Sequence, residues 1–218
     1  MVKLMVDGRE IVTDRDETLL EACLENDIFV PNLCHLQGME HPPASCRLCL
    51  VELDGESRPV PSCTLRVREG MVVRTDTPLV RRLQRTALRL LLSAHNVDCA
   101  HCPANKKCEI QRLASFLEVG LKPKGLEPAL KEPQVDREHP SLDYYPNRCV
   151  LCGRCVHVCR REQGRPFLSF AHRGIRTAIS FYGGADSSEL PCTKCLACVS
   201  ICPVGAITLK EDAPATLK

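Results

Sequence analysis

One cysteine run and its copy constrain this chain more than anything else in it. Cys149, Cys152, Cys155 and Cys159 are spaced C-x2-C-x2-C-x3-C, and Cys192, Cys195, Cys198 and Cys202 repeat the spacing, closed by Pro203. Three thiolates this close in sequence can wrap one corner of a cubane, while the fourth is thrown across to a neighbouring site. In the bacterial form of this run, which holds two four-iron clusters, the fourth cysteine ligates the other cluster. The order therefore predicts Cys149, Cys152, Cys155 and Cys202 around one cluster, and Cys192, Cys195, Cys198 and Cys159 around the next. A structural zinc site wants two C-x2-C pairs and has no use for eight cysteines in this duplicated order.

The 218 residues permit one domain or two on length alone. The cysteine map argues instead for three small cluster-holding modules. None is long enough to bury a large apolar core, so metal binding is expected to supply part of the folding free energy. Sixteen cysteines in a short secreted chain would suggest disulfides, but here nearly all fall into tight metal-type spacings. The N-terminal MVKLMVDGRE has no apolar h-region or cleavage site, and no run of apolar residues is long enough for a transmembrane helix. A reducing cytoplasm is the expected compartment. A formal net charge of +2, sparse aromatics and the absence of Trp argue against nucleic acid and against an anionic membrane.

From the N-terminus, residues 2–6 and 9–13 are β-type runs joined at Asp7-Gly8, a type I′ hairpin signal. Thr18-Leu19-Leu20-Glu21 is a capping box, and Leu19, Leu20, Cys23 and Leu24 fall on one apolar helix face, so Cys23 reads as a core thiol. Val30-Pro31 ends the helix. Cys34, Cys46, Cys49 and Cys63 follow as C-x11-C-x2-C-x13-C. The plant-type two-iron order is similar, with a shorter first gap. Hairpin, helix, cluster loop and further strands (48–53, 71–74) predict a β-grasp sheet holding a two-iron cluster; zinc on the same four thiols is the alternative. Thr77-Pro78 then opens a helix, with Leu79, Leu83, Ala87, Leu90 and Leu91 as its apolar stripe and Arg81, Arg82, Arg85 and Arg89 as a solvated face.

His95, Cys99, Cys102 and Cys108 are spaced H-x3-C-x2-C-x5-C. The region is one cysteine short of a ligand set, and His95 stands where the missing ligand belongs, whereas His101 reads as a spectator. A neutral imidazole in place of a thiolate leaves a cluster less negative. A Cys3His zinc site competes on spacing alone; the cluster motifs around it favour a four-iron cluster. Residues 121–146, with five prolines and many charges, read as an extended linker. Strands are expected at 167–170, 177–182 and 206–209, and a frayed tail beyond. Fifteen cysteines then serve as ligands and Cys23 alone is left over.

The expected fold is thus α+β: a β-grasp 2Fe-2S ferredoxin-like domain (1–78), a small helical His/Cys 4Fe-4S domain (79–120), the linker (121–146), a two-cluster bacterial ferredoxin-like 4Fe-4S domain (147–210) and a tail (211–218). No G-x-G-x-x-G or Walker A pattern is present, and Gly183-Gly184 is an isolated pair that reads as a turn. Nothing suggests a flavin pocket, a nicotinamide site or a catalytic residue, so the chain is expected to pass electrons between partners. Arg47, Arg148, Arg154 and Arg160 adjoin ligands, where they could stabilise reduced clusters or dock those partners.

The order Cys34/Cys46/Cys49/Cys63, then His95/Cys99/Cys102/Cys108, then the two-cluster segment, resembles the N-terminal region shared by the large iron–sulfur subunit of respiratory complex I and iron-only hydrogenases. The strings CHLQGMEHPPASCRLCLVEL, CPANKKCEIQ and NRCVLCGRCVHVC are similar to the gamma subunit of the diaphorase module of cytoplasmic NAD-reducing nickel–iron hydrogenases. That resemblance implies a hetero-oligomer, with FMN and NAD on a flavin-bearing diaphorase subunit and electrons running through this chain toward a hydrogenase small subunit. The alternatives are a subunit of an NAD-dependent formate dehydrogenase or complex I-like NADH dehydrogenase, a freestanding multi-cluster carrier, and a colourless zinc module.

Overall fold

The structure is a computed structural model that describes residues 1–182 and 192–211, without the side chains of Thr193 and Lys194. The Gly183-Gly184 pair and most of the tail lie outside the described residues. The chain divides into two compact units, residues 1–90 with 113–120, and residues 91–112 with 121–218.

In the first unit, β1 (Val2–Val6) and β2 (Arg9–Thr13) form the expected hairpin, in antiparallel register from Val2↔Thr13 to Val6↔Arg9. Its two turn residues are left-handed, Asp7 at φ 50° and Gly8 at φ 80°, as a type I′ turn demands. Alternation along β1 buries Val2, Leu4 and Val6. Helix α1 (Leu19–Glu25) starts on the capping box: the Glu21 N–H donates to the Thr18 hydroxyl at 3.2 Å, and the Thr18 N–H donates back to the Glu21 carboxylate at 3.1 Å. Strands β3 (Leu50–Leu53), β4 (Val60–Pro61) and β5 (Val72–Arg74) complete a five-stranded mixed sheet in the order β2-β1-β5-β3-β4, with β1 and β5 parallel. Leu19, Leu20, Ala22 and Cys23 of α1 pack with the inward residues of the sheet into one apolar core, which also includes Cys49 and Cys63. This unit therefore buries a larger core than its length suggested, and its ligand loop is built onto that core. Leu24 is corrected: it is exposed, and Ala22 is buried with Leu19, Leu20 and Cys23 instead.

Helix α2 (Pro78–Ser93) begins as expected, with the Val80 N–H donating to the Thr77 hydroxyl at 3.2 Å. Its buried stripe is Val80, Gln84, Leu88 and Leu92, one residue off the expected stripe, while Leu79 and Leu90 are exposed. The shift is possible because buried Gln84 satisfies its amide on the Leu50 carbonyl at 3.2 Å. Nor are all four arginines simply solvated. Arg81 pairs with Asp76 and lies 4.5 Å from the centre of the Phe116 ring; Arg85 donates to the Leu117 carbonyl at 2.7 Å and pairs with Glu118 at 2.6 Å. Helix α3 (Glu109–Phe116) follows the third cysteine of the His/Cys region.

In the second unit the stretch read as a linker contains a strand. β6 (Leu142–Tyr144) pairs antiparallel with β9 (Ile207–Leu209), Tyr144 opposite Ile207, and buries Leu142 and Tyr144. Such a short element carries no readable period, and its partner lies far downstream. Between them come α4 (Arg154–Gln163), the hairpin β7 (Leu168–Ala171) with β8 (Ala178–Phe181), and the short helices α5 (Cys192–Cys195) and α6 (Ala197–Ile201). α4 and α6 pack against each other. Among the described residues no helix is long and apolar enough to cross a membrane.

Candidate metal centres

The first centre is built on the apolar core of the first unit. Cys34, Cys46, Cys49 and Cys63 are all buried. The Cys34 and Cys46 sulfurs lie 3.4 Å apart. The hydrogen bond shared by the two pulls the Cys34 thiol down to about 5 against the opposing effect of burial, and drives the Cys46 thiol up. Cys49 and Cys63 behave alike: the shared hydrogen bond lowers Cys49 and raises Cys63. Thiols so closely paired share protons that all four must give up to bind iron. The loop bends through left-handed Ala44 (φ 49°) and Arg47 (φ 55°), which turns Cys46 and Cys49 inward. On the far side, the Ser62 N–H and hydroxyl both donate to the Cys49 carbonyl at 2.9 Å.

Glu21 ties the capping box to this loop. Its second carboxylate oxygen accepts from the Gly38 N–H at 3.2 Å and lies 3.3 Å from Nε2 of His35, the residue after Cys34. Burial opposes its ionisation, yet the Thr18, Gly38 and His35 contacts hold the carboxyl below its ordinary range. The sequence showed the box, but only the fold shows its second use.

The second unit contains the remaining sets. Cys108 is raised by burial, opposed by the Ile110 and Gln111 N–H groups, and is near enough to feel the charges of Cys99 and Cys102. His95 has a buried Nδ1 with no hydrogen-bond partner, and the Arg148 backbone near its ring opposes the effect of burial. Burial lowers its pKa, which keeps it neutral, and a neutral imidazole with one nitrogen unshared suits a metal. His101 is exposed and engages Asp98 at 2.9 Å, apart from this set. The loop is fastened to the downstream run: the Glu109 N–H donates to the Pro203 carbonyl at 3.0 Å. Gly205, at φ 63°, leaves only 3.0 Å between an added Cβ and the side chain of Ala104, so glycine is required there.

In the duplicated run the crossed pattern is visible in which thiols oppose one another's ionisation. Cys155 feels Cys149, Cys152 and Cys202, and more weakly Cys198; Cys198 feels Cys192, Cys159 and Cys195. Burial is the larger cause for both, and it pushes Cys152 and Cys198 up to about 12. Backbone donors point at the sulfurs. The Leu151 N–H donates to Cys149 at 3.4 Å, Phe167 to Cys159 at 3.2 Å and Ala206 to Cys202 at 3.2 Å. The two half-motifs turn alike: the residue after the second cysteine, Gly153 or Leu196, is left-handed and caps the helix carrying the third.

Among the described residues no three such side chains converge as they would on a single metal ion. The thiols of each set are neighbours without closing on a point, and amides aimed at their sulfurs favour the thiolate form that iron needs. The donor sets fit iron–sulfur clusters. Cys23 contrasts with them: burial and the nearby Asp7 carboxylate push it up to about 12, as expected of a core thiol.

Comparison with known proteins agrees with this chemistry. Residues 1–78 match a 2Fe-2S iron–sulfur cluster binding domain, residues 84–121 the NADH-ubiquinone oxidoreductase-G iron–sulfur binding region, and residues 140–208 the ferredoxin-like domain of NADH-quinone oxidoreductase subunit 3. An NADH-quinone oxidoreductase subunit of Rhizobium meliloti is 34% identical over 213 residues, 95% of this chain and 24% of that protein. NADP-reducing hydrogenase subunit HndD of Solidesulfovibrio fructosivorans is 32% identical over 216 residues, 97% of this chain and 36% of that one. The chain thus spans about a quarter to a third of the length of these relatives. A chain in the crystal structure of an NAD+-reducing NiFe-hydrogenase in the H2-reduced state aligns with a TM-score of 0.84 at 31% identity, covering 99% of this chain and 90% of that one. The chain therefore belongs to the family of iron–sulfur electron-transfer subunits of NADH-linked oxidoreductases, which includes those of complex I and of hydrogenases.

Proposed function

We propose that the chain relays single electrons between an FMN- and NAD(H)-binding diaphorase subunit and a hydrogenase module, in the reversible reaction of H2 with NAD+. Cys34, Cys46, Cys49 and Cys63 would hold a 2Fe-2S cluster. Three 4Fe-4S clusters would sit on His95/Cys99/Cys102/Cys108, on Cys149/Cys152/Cys155/Cys202 and on Cys159/Cys192/Cys195/Cys198. Such clusters take up and release one electron at a time, which matches a flavin that splits a hydride into single electrons. The chain's own part is to hold the thiolates, aim amides at their sulfurs and bury them. The likeness that extends over 90% of a chain of the NAD+-reducing hydrogenase carries the assignment.

A complex I-like reading is the second, favoured by the 34% identity to the Rhizobium protein. Purification of the native complex tests both. The hydrogenase reading expects a flavoprotein and a hydrogenase small subunit in its intact mass spectrum, together with H2-dependent NAD+ reduction. Quinone-reductase partners and no H2 activity would favour the second. Iron and sulfide analysis of the same sample should give about fourteen iron atoms per chain, from one two-iron and three four-iron clusters. Stoichiometric zinc would overturn the cluster assignment at the motif that held it.

A further inference from the structure

Two of these ligand sets meet at one residue that belongs to neither. The Arg148 backbone and guanidinium both lie close enough to the His95 ring to affect its ionisation. At the other end of the same residue, guanidinium Nη2 donates to the His101 carbonyl at 3.2 Å, between Cys99 and Cys102. Along the backbone, Arg148 leads directly into Cys149. The residue is held in place from several sides. Its guanidinium carbon lies 4.0 Å over the Tyr145 ring, and its N–H and that of Cys149 both donate to the Tyr145 carbonyl, at 3.0 and 3.2 Å. The Tyr145 N–H in turn donates to the Ala206 carbonyl at 2.8 Å, and the Ala206 N–H donates to the Cys202 sulfur. One step upstream, the Asn147 carbonyl accepts from the Asn96 N–H at 2.6 Å.

From this geometry we infer that Arg148 is a positioning residue common to two centres, tying the loop between Cys99 and Cys102 to the backbone that enters Cys149 and favouring the reduced state of both clusters with its charge. The inference rests on the cluster assignment proposed above. Adding an electron makes a cluster more negative, and a fixed cation beside it stabilises that state. Stacking on Tyr145 and bonding to a carbonyl spare the guanidinium the entropy loss that a free surface arginine would suffer in the same place. A lysine keeps the charge, but it can neither stack in the plane nor hold the fork.

The test is a redox titration of the assembled complex followed by electron paramagnetic resonance, with iron analysis, for wild type, Arg148→Gln and Arg148→Lys. In Arg148→Gln the iron content should be full. The potentials of the His95 cluster and of the Cys149/Cys152/Cys155/Cys202 cluster should both fall, while the other two stay where they are. Full iron with one or neither of those potentials moved overturns the inference. If Arg148→Gln loses iron, Arg148→Lys, which keeps the charge, is compared with Arg148→Met, which does not. Full iron in both, with the two potentials lower in the methionine variant than in the lysine variant, supports the role, whereas equal potentials in the two or iron loss in both reduce Arg148 to a structural strut. Failure of the parent reading looks different: the wild-type complex itself would lack the iron or the signals of these two clusters.

Discussion

The Tyr144 hydroxyl accepts a hydrogen bond from the Ile179 N–H at 3.1 Å and lies near enough to the Cys149 thiol to favour its ionised form. Burial, the first cause, and the nearby Cys149 push its own pKa well up, so it remains a protonated donor. A donor to a ligand sulfur takes up part of the thiolate charge and makes reduction easier. Tyr144→Phe keeps the ring beside Phe181 and removes only the donor. The cluster proposed on Cys149 should then keep its iron and show a lower potential, and stability should drop by roughly 1–3 kcal/mol because the Ile179 N–H loses its partner. An unchanged potential in a redox titration would show that the hydroxyl only ties β6 to β8.

Cys23 and Cys46 are both buried, and they should part company on substitution. Cys23→Ala removes one sulfur from the packed face of α1 and should cost about 1 kcal/mol. It should leave the iron content and paramagnetic spectra as they were. Cys46→Ala should abolish the two-iron signal. Loss of any cluster signal in Cys23→Ala would break the ligand arithmetic.

What was legible in the sequence was local. The Asp7-Gly8 turn, the Thr18–Glu21 box and the Thr77-Pro78 cap involve residues within four positions of each other, and the structure has them where the spacing put them. The crossed sets of Cys202 and Cys159 are an expectation from the order of the run, consistent with which thiols oppose the ionisation of Cys155 and Cys198. What was missed depends on distant partners. β6 is a strand because β9 completes it, and five prolines around it hid three residues of pairing. Gln84 looked polar until the Leu50 carbonyl, 34 positions away, satisfied it. Tyr144 had no visible role, and Glu21 none beyond its capping box, for the same reason. The donors that tune or hold a ligand loop have no fixed spacing from it.

His139 makes a pH prediction away from the clusters. Its Nδ1 accepts from the Ser141 and Leu142 N–H groups, both at 3.1 Å, so it must be unprotonated in the fold. Burial, the larger cause, and the charge of Lys210 depress its pKa to about 4, opposed by Asp136. The unfolded chain, with an ordinary histidine, takes up this proton near pH 6.5. Stability from this site is therefore complete above pH 6.5 and lost as pH falls from there toward 4, by about 3 kcal/mol in all. Amide exchange at Ser141 and Leu142, corrected for intrinsic rates and compared with β1 and β2, should speed up over that window. His139→Gln should flatten the response. Equal protection of these two amides at pH 7 and pH 5 would remove His139 as its cause.

His95 gives the sharpest prediction. Its region has three cysteines, and the structure leaves its Nδ1 buried without a partner. A buried ring nitrogen with no partner is costly, and a metal on the imidazole would offset that cost. His95→Ala should lose an iron from the cluster proposed on Cys99, Cys102 and Cys108, or take up water as its fourth ligand. His95→Cys, where the cluster still assembles, replaces a neutral ligand by an anionic one and should lower the potential of that cluster alone. Pulsed paramagnetic resonance on the reduced complex should find nitrogen coupled to one four-iron cluster in the wild type and none in the cysteine variant. If no nitrogen couples and the potential stays put, His95 is a packed spectator, and the fourth ligand must come from water or a partner chain.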